Sequence, residues 1–297
     1  TVEAAPTVLV PIQDATICEG GTVPDLYVNP TGPGTITYEW NLVGGLSNPV
    51  GTSSTYTVPT NVAGTYEYYC IVSFSSGGCP DVTSSNITIT IVLDPSALIP
   101  TTPADICDGG VIANPLSVNV SGGTGTISYS WDEIGGSSNP VGTNPTYDPG
   151  ILSPVGIYEY QVTVDYDGNG CDPTTSNIVQ INVEPDPFSD DILNDTTVCQ
   201  TVSPASSAAI LEVTNVQGGI PPFNYNYQWW QATPVLQQVG SNSTTYQPPT
   251  DIVGTYTYYC VITNDPTSTD CEYITNTHTL TVEAAPTVLV PIQDATI

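Results

Sequence analysis

The sequence predicts an all-β protein built from tandem immunoglobulin-like β-sandwich domains forming an extended rod. Three observations carry this reading. Short segments alternate apolar and polar residues with period two, as half-buried strands do. No stretch has helical spacing, and 28 Pro and 26 Gly punctuate the runs. Blocks of residues recur three times along the 297 residues, each with a Trp on a middle strand and a Gly-x-Tyr opening a late one. About seven short strands per hundred residues with those two marks describe a sandwich of this kind.

The blocks keep one order in every copy. A turn signal reads ATICEGG at 15–21, ADICDGG at 104–110 and, more loosely, TTVCQTV at 196–202. A second block ends in Trp40 (TITYEW), Trp131 (TISYSW) and Trp229 (NYNYQW). A third surrounds Tyr56 (SSTYTVP), Tyr147 (NPTYDPG) and Tyr246 (STTYQPP). A fourth reads GTYEYYCIV at 64–72, GIYEYQVTV at 156–164 and GTYTYYCVI at 254–262, and each copy then carries a hairpin cysteine, Cys79, Cys171 or Cys271. The expected domains are therefore 1–93, 94–184 and 185–283.

Residues 284–297 begin a further copy, because TVEAAPTVLVPIQDATI fills 1–17 and returns unchanged at 281–297. Identity over that stretch exceeds what a shared fold requires. It points to a super-repeat of 280 residues, a window cut from a longer array whose next residue should be a cysteine equivalent to Cys18.

Within each copy the alternation assigns faces. In the run from Ile36 to Trp40 the even positions face the core. From Tyr66 to Val72 they do so again, which leaves Glu67 and Tyr69 outward. Ile87, Ile89 and Ile91 form the inward face of a closing strand. Tyr66, Tyr158 and Tyr256 are expected corner tyrosines, each tying a loop to its strand. The linkers carry proline (Pro95, Pro185, Pro187) and should be short and stiff.

Composition narrows the function. The chain has no Lys, no Arg, 29 acidic residues and one His, for a formal charge of −29. Phosphate backbones and anionic membrane surfaces both recruit cationic side chains, so binding to nucleic acid or membrane is not expected. Disorder is the other reading of high net charge, but 18 Tyr, 4 Trp and abundant Val and Ile oppose it. Eight Cys at recurring positions in a chain rich in Thr, Ser and Asn point to an oxidising, extracellular setting. With no Lys, an isopeptide staple cannot form, and disulfides are the remaining covalent option.

The second copy states a motif most fully: Gly122-Gly123-Thr-Gly125, Tyr129-Ser-Trp131, Gly156-Ile-Tyr158 and Gly170-Cys171. In this the chain resembles the repeats of giant surface adhesins of Bacteroidota, of the SprB gliding-motility type. The third copy departs from it, with Gly218-Gly-Ile-Pro-Pro and with Asp270 before Cys271. The resemblance implies type IX export, cell-surface display on an outer-membrane-attached filament, and a role in adhesion or gliding. The implied partners are neighbouring repeats, surface polysaccharides or substratum, and the outer-membrane secretion and motility machinery.

Each candidate site residue also admits a plainer role. The second copy has only Cys107 and Cys171, with Val162 where the others have Cys70 and Cys260. If those two pair, the equivalents are Cys18–Cys79 and Cys199–Cys271, with Cys70 and Cys260 as free thiols buried beside Trp40 and Trp229. Closing a loop of about 60 residues would stabilise a domain by about 4 kcal/mol in the chain-entropy model. The rival is Cys18–Cys70, as in antibody domains. Asp165, Asp167 and Asn169 match the opening of a Ca²⁺ loop, although Ser176 stands where a bidentate Glu belongs; the plain alternative is a Gly/Asn turn. Asp186, Asp190, Asp191 and Asp195 crowd a linker, as a divalent clamp or simply as solvated acids.

Trp230 follows the core Trp229 and should face outward, to stack on a sugar or to pack under a loop or neighbour. Thr196, in Asp195-Thr196-Thr197, matches an O-glycosylation signal or else simply begins a strand. His278, in the slot of Ile87, is expected to be structural, since no partner for a catalytic triad is evident. The expected function is a non-enzymatic stalk segment of an adhesive filament; the alternative is tandem carbohydrate-binding modules. At ~3.3 Å per strand residue each sandwich spans roughly 30 Å, which makes the rod on the order of 100 Å per super-repeat.

Overall fold

The computed structural model describes residues 5–9, 13–75, 78–190, 192, 195–201, 209–264 and 271–287. They form strands, turns and loops, with no α-helix among the described residues. Three large sheets repeat one plan, each joining an opening strand, a closing strand, a long tyrosine-rich strand and a Trp strand in that order. In the first repeat these are Ala15–Cys18, Ile87–Val92, Gly64–Phe74 and Ile36–Leu42. In the second they are Ile106–Cys107, Val179–Glu184, Gly156–Asp167 and Thr126–Glu133. In the third they are Thr196–Cys199, His278–Glu283, Gly254–Thr263 and Asn226–Thr233, with Gln237–Val239 added beside the Trp strand.

The opening strand always lies parallel to the closing one, and the other main pairs described are antiparallel. The register puts the ends in known places. Cys18 pairs with Val92 and Gly64 with Ile91, so both sit at the end where the first repeat is left. Phe74 pairs with Ile36 at the far end of the tyrosine strand.

The alternation read from the sequence is the alternation of burial. Tyr68, Cys70 and Val72 are buried while Glu67 is exposed and Tyr69 half-buried, and Ile87, Ile89 and Ile91 line the same core. A second layer closes over this face. Leu26–Tyr27 pairs with Thr55–Tyr56, Leu116–Ser117 with Thr146–Tyr147, and Leu211–Glu212 with Thr245–Tyr246. These short ladders place buried Leu26, Leu116 and Leu211 opposite the Trp strands. Burying such side chains contributes about 1.5–3 kcal/mol each.

They also explain the third sequence block. Tyr56 lies between Trp40 and Tyr68, with ring centroids 6.2 and 5.5 Å away. Tyr147 bridges Trp131 and Tyr160, and Tyr246 bridges Trp229 and Tyr258, in the same way. Each Trp also donates its indole N–H to a backbone carbonyl, of Ser53, Asn144 or Ser243, at 2.8–3.0 Å. A buried indole is thus satisfied in every repeat. The corner tyrosines are in place as well. The hydroxyls of Tyr66, Tyr158 and Tyr256 donate to the carbonyls of Val62, Pro154 and Ile252, four residues back, at 2.9–3.1 Å.

The chain gathers into two compact units: Thr1–Thr102, Pro115–Asp148 and Glu159–Val179 form one, and Pro103–Asn114, Pro149–Tyr158 and Gln180–Ile297 the other. The second repeat contributes residues to both. Of the second copy of the seventeen-residue stretch, residues 288–297 lie outside the described residues, as do 1–4 and 10–12 of the first. No helix among the described residues is long and apolar enough to cross a membrane.

Candidate functional sites: cystine-tied joints and an aromatic face

The cysteines pair differently from the expectation. Cys18 is bonded to Cys171, 153 residues away, and Cys107 to Cys271, 164 residues away, with Cα–Cα distances of 4.8 and 5.3 Å. Neither Cys18–Cys79, Cys107–Cys171 and Cys199–Cys271 nor the rival Cys18–Cys70 is the arrangement found. The reason lies in the strand plan. Cys18 closes the opening strand at the end where its repeat is left, whereas Cys79 follows the tyrosine strand, which reaches Phe74 at the opposite end. Ten residues of strand span roughly 33 Å, and a disulfide needs Cα atoms about 4.4–6.8 Å apart. The cysteine at the leaving end of one repeat therefore meets the hairpin of the next.

The first joint is built from backbone on both sides. The Cys18 N–H donates to the Asn169 carbonyl at 3.0 Å. Gly123 N–H donates to the Leu93 carbonyl at 2.9 Å, and Asp172 N–H donates to the Asp94 carboxylate at 3.1 Å. The linker is thus held by the repeat that follows it. Glycine is required here: a Cβ on Gly170 would lie 2.6 Å from the Gly21 Cα, and Gly170 also has φ of +68°. One on Gly122 would meet the Asp94 carbonyl oxygen at 2.5 Å. The Gly-Gly-x-Gly motif is therefore a linker cradle. The third repeat departs from the full motif but keeps this backbone contact, with Gly219 N–H donating to the Pro185 carbonyl at 2.7 Å.

Cys70 and Cys260 are buried and carry free thiols, facing Trp40 and Trp229 across the strand pair. Burial pushes the Cys70 thiol up to about 11 and the Cys260 thiol up to about 12, so neither forms a reactive thiolate near neutral pH. Val162 fills the same slot in the second repeat and is equally buried.

Asp165 and Asp167 continue the tyrosine strand, exposed, two residues apart on one face. Such positions lie about 6–7 Å apart along a strand, which is not the tight turn of a Ca²⁺ loop. The Asn169 backbone carbonyl accepts the Cys18 N–H, and the Asn169 side-chain amide lies beside Gly125. The Ser176 hydroxyl accepts the Val162 N–H at 3.1 Å, a clasp that Ser84 and Thr275 repeat on Cys70 and Cys260. Among the described residues no group of three or more His, Cys, Asp or Glu is placed to hold a metal ion.

Of the linker acids, Asp190 accepts from the Asn215 amide and Asp195 accepts the Thr279 N–H at 2.7 Å. Asp191 lies outside the described residues. Thr196 is half-buried in the opening strand opposite Leu280. His278 is buried in the slot of Ile87, each opposite a buried tyrosine.

Trp230 does face outward, and it is half-buried. It stacks on Tyr259 of the neighbouring strand, with centroids 6.4 Å apart and planes 8° from parallel, and has Gln238 on its other flank. An open cleft of about 300 Å³ lies among Ala104, Asp105, Ile220, Pro221, Pro222, Asn224 and Asn264. Its one acid, Asp105, accepts from the Asn182 amide at 2.9 Å.

No protein-family model and no curated protein matches the chain. The three N-terminal domains of the bacteriophage RB49 Highly Immunogenic Outer Capsid protein (Hoc) superpose over 94% of this chain and 98% of that one, at 14% identity and a TM-score of 0.54. Sidekick-1 immunoglobulin domains 1–4 align over 96% of this chain and 76% of theirs, at 16% identity and a TM-score of 0.35. With the strand plan above, the likeness to Hoc defines the fold as a tandem array of immunoglobulin-like β-sandwich domains.

Proposed function

We propose that the chain is a stalk segment of a long repetitive cell-surface adhesin, with three domains bounded as 1–93, 94–184 and 185–283. The observation that carries this is the pair of cystines joining successive repeats, each between a leaving-end turn and the next hairpin. A covalent tie at each joint, with the linker held by backbone hydrogen bonds, suits a segment that transmits force and holds reach. Disulfides persist outside the reducing cytosol, which supports an extracellular site. The uniformly acidic surface, with no Lys or Arg, keeps neighbouring filaments apart. Attachment would come from many weak contacts along the filament. The quoted motifs favour a gliding-motility adhesin of the SprB type, exported by the type IX system.

Catalysis has little to work with. Acid–base chemistry needs a group tuned near the working pH, and the single His is a core residue. The segment is therefore read as non-enzymatic. Small-angle scattering of the 297-residue chain tests the stalk, with a maximum dimension near 100 Å expected from about 30 Å per sandwich. A compact particle of half that length contradicts it.

The flat Trp230–Tyr259 pair favours a second reading, direct stacking on a sugar ring. Sub-micromolar binding to one glycan, lost in Trp230→Ala with the fold intact, would establish a binding module in place of a spacer.

A further inference from the structure

We infer that Cys199 forms a third cystine of the same kind, with the hairpin cysteine of a following repeat of the first type, at the position of Cys79. The bond would continue the covalent ladder from one super-repeat into the next. The inference rests on the tandem-array reading only in naming that following copy; the site itself is read from this chain.

The turn at Cys199 is framed like the two that are closed. At the next residue, the N–H groups of Glu19, Asp108 and Gln200 donate to the carbonyls of Val92, Glu184 and Glu283, at 2.7–2.9 Å. One residue further, Gly20, Gly109 and Thr201 donate to Thr60, Leu152 and Thr250, at 2.8–2.9 Å. Cys18, Cys107 and Cys199 also hold the same register, against Val92, Glu184 and Glu283. What differs is cover. Cys18 and Cys107 are 0% exposed beneath their partner hairpins, whereas Cys199 is exposed and free. A backbone frame made twice to present a half-cystine is thus made a third time, with its sulfur open.

Sequence at the joint selects which hairpin fits. Gly21 and Gly170 touch backbone to backbone in the first joint, where a Cβ on Gly170 has no room. Val202, which lies outside the described residues, stands three residues after Cys199, where Gly21 and Gly110 stand after Cys18 and Cys107, and a glycine before the partner cysteine would leave room for it. The residues preceding the three hairpin cysteines are Gly78, Gly170 and Asp270. Gly78 has φ of +61°, close to the +68° of Gly170, and a Cβ there would meet nothing within 4 Å. Every joint then keeps glycine on at least one side. On the tandem-array reading the hairpin after a third repeat is of the first type, since residues 281–297 repeat 1–17.

Formation is a two-electron oxidation. The two thiols lose two protons and two electrons as one S–S bond forms, and a protein disulfide of an oxidoreductase accepts them, becoming a dithiol. The test is a disulfide map of the protein isolated from its own cells, quenched with N-ethylmaleimide and cut with Asp- and Glu-specific proteases. The expected result is a Cys199 segment crosslinked to a Cys79 segment, with loss of label at Cys199. In the isolated, monomeric 297-residue chain, Cys199 should instead take up the label fully. Labelled Cys199 in the native protein, Cys199 joined to any other cysteine, or a Cys199–Cys79 bond inside the monomer would each overturn the inference. None of these would alter the scattering length that tests the stalk.

Discussion

The cores of the repeats and the joints between them obey different rules. Each core is a closed set: a Trp, two Tyr packed in series beside it and a largely aliphatic inward face, all supplied by one repeat and present in all three. A joint is an open set, completed only by residues of the next repeat, as Cys18 is by Cys171 and Leu93 by Gly123. Damage to a core should unfold one repeat. Damage to a joint should loosen two repeats and leave both cores intact.

The largest effect should follow from Trp131→Ala. It removes a fully buried ring stacked on Tyr147 and strands the Asn144 carbonyl, and such truncations cost about 3–5 kcal/mol. Denaturant melts followed by hydrogen exchange should show the loss in strands of the second repeat, with Trp40 and Trp229 still protected. Equal loss in all three repeats would mean that the cores are not independent.

Gly170→Ala probes a joint instead. The left-handed backbone alone costs a non-glycine residue roughly 1–2 kcal/mol, and the added methyl meets Gly21. Oxidative refolding should lose the Cys18–Cys171 bond and the exchange protection of the Cys18 N–H, while the Trp131 indole stays buried. Unfolding of the second repeat would erase the distinction.

Smaller changes sharpen the core side. Cys70→Ser puts a hydroxyl beside Trp40 and should cost about 1–3 kcal/mol. Cys70→Val copies the second repeat and should stay within about 1.5 kcal/mol of neutral. The two variants' denaturation midpoints decide this, and equal losses would make the thiol more than a small apolar filler.

Alkaline pH gives a graded version. Thiols ionise near 9.0 and phenols near 10.0 when unburied, but burial pushes Cys70 up to about 11 and Tyr68 up to about 12. The unfolded chain then sheds protons before the folded one, so stability is undiminished below about pH 9 and falls between there and 12. The second repeat, with Val162, lacks the thiol contribution and should lose less at pH 10. A stability that rises in that window would reverse the sign.

The cores were legible in the sequence because their determinants are local. Period-two runs fixed which face of Gly64–Phe74 is buried, and the Gly-x-Tyr marked the corner. The partner of Tyr56, Tyr147 and Tyr246 was not legible, since nothing in a spacing of residues says which rings meet across two layers. The disulfides were misread for a related reason. Two cysteines in the second repeat fit pairing within a repeat and pairing between repeats equally well. Only the direction of the strands separates Cys18 from Cys79, because it sends the hairpin to the far end of the sheet. That direction follows from the sandwich plan itself, so it was the signal that could have found the joints.

Non-reducing peptide mapping of the 297-residue chain tests the central claim most directly. The account predicts two crosslinked pairs, Cys18 with Cys171 and Cys107 with Cys271, with Cys70 and Cys260 recovered as thiols only after unfolding. A Cys18–Cys79 or Cys107–Cys171 crosslink would contradict it, returning each disulfide to a single repeat and leaving the joints without a covalent tie.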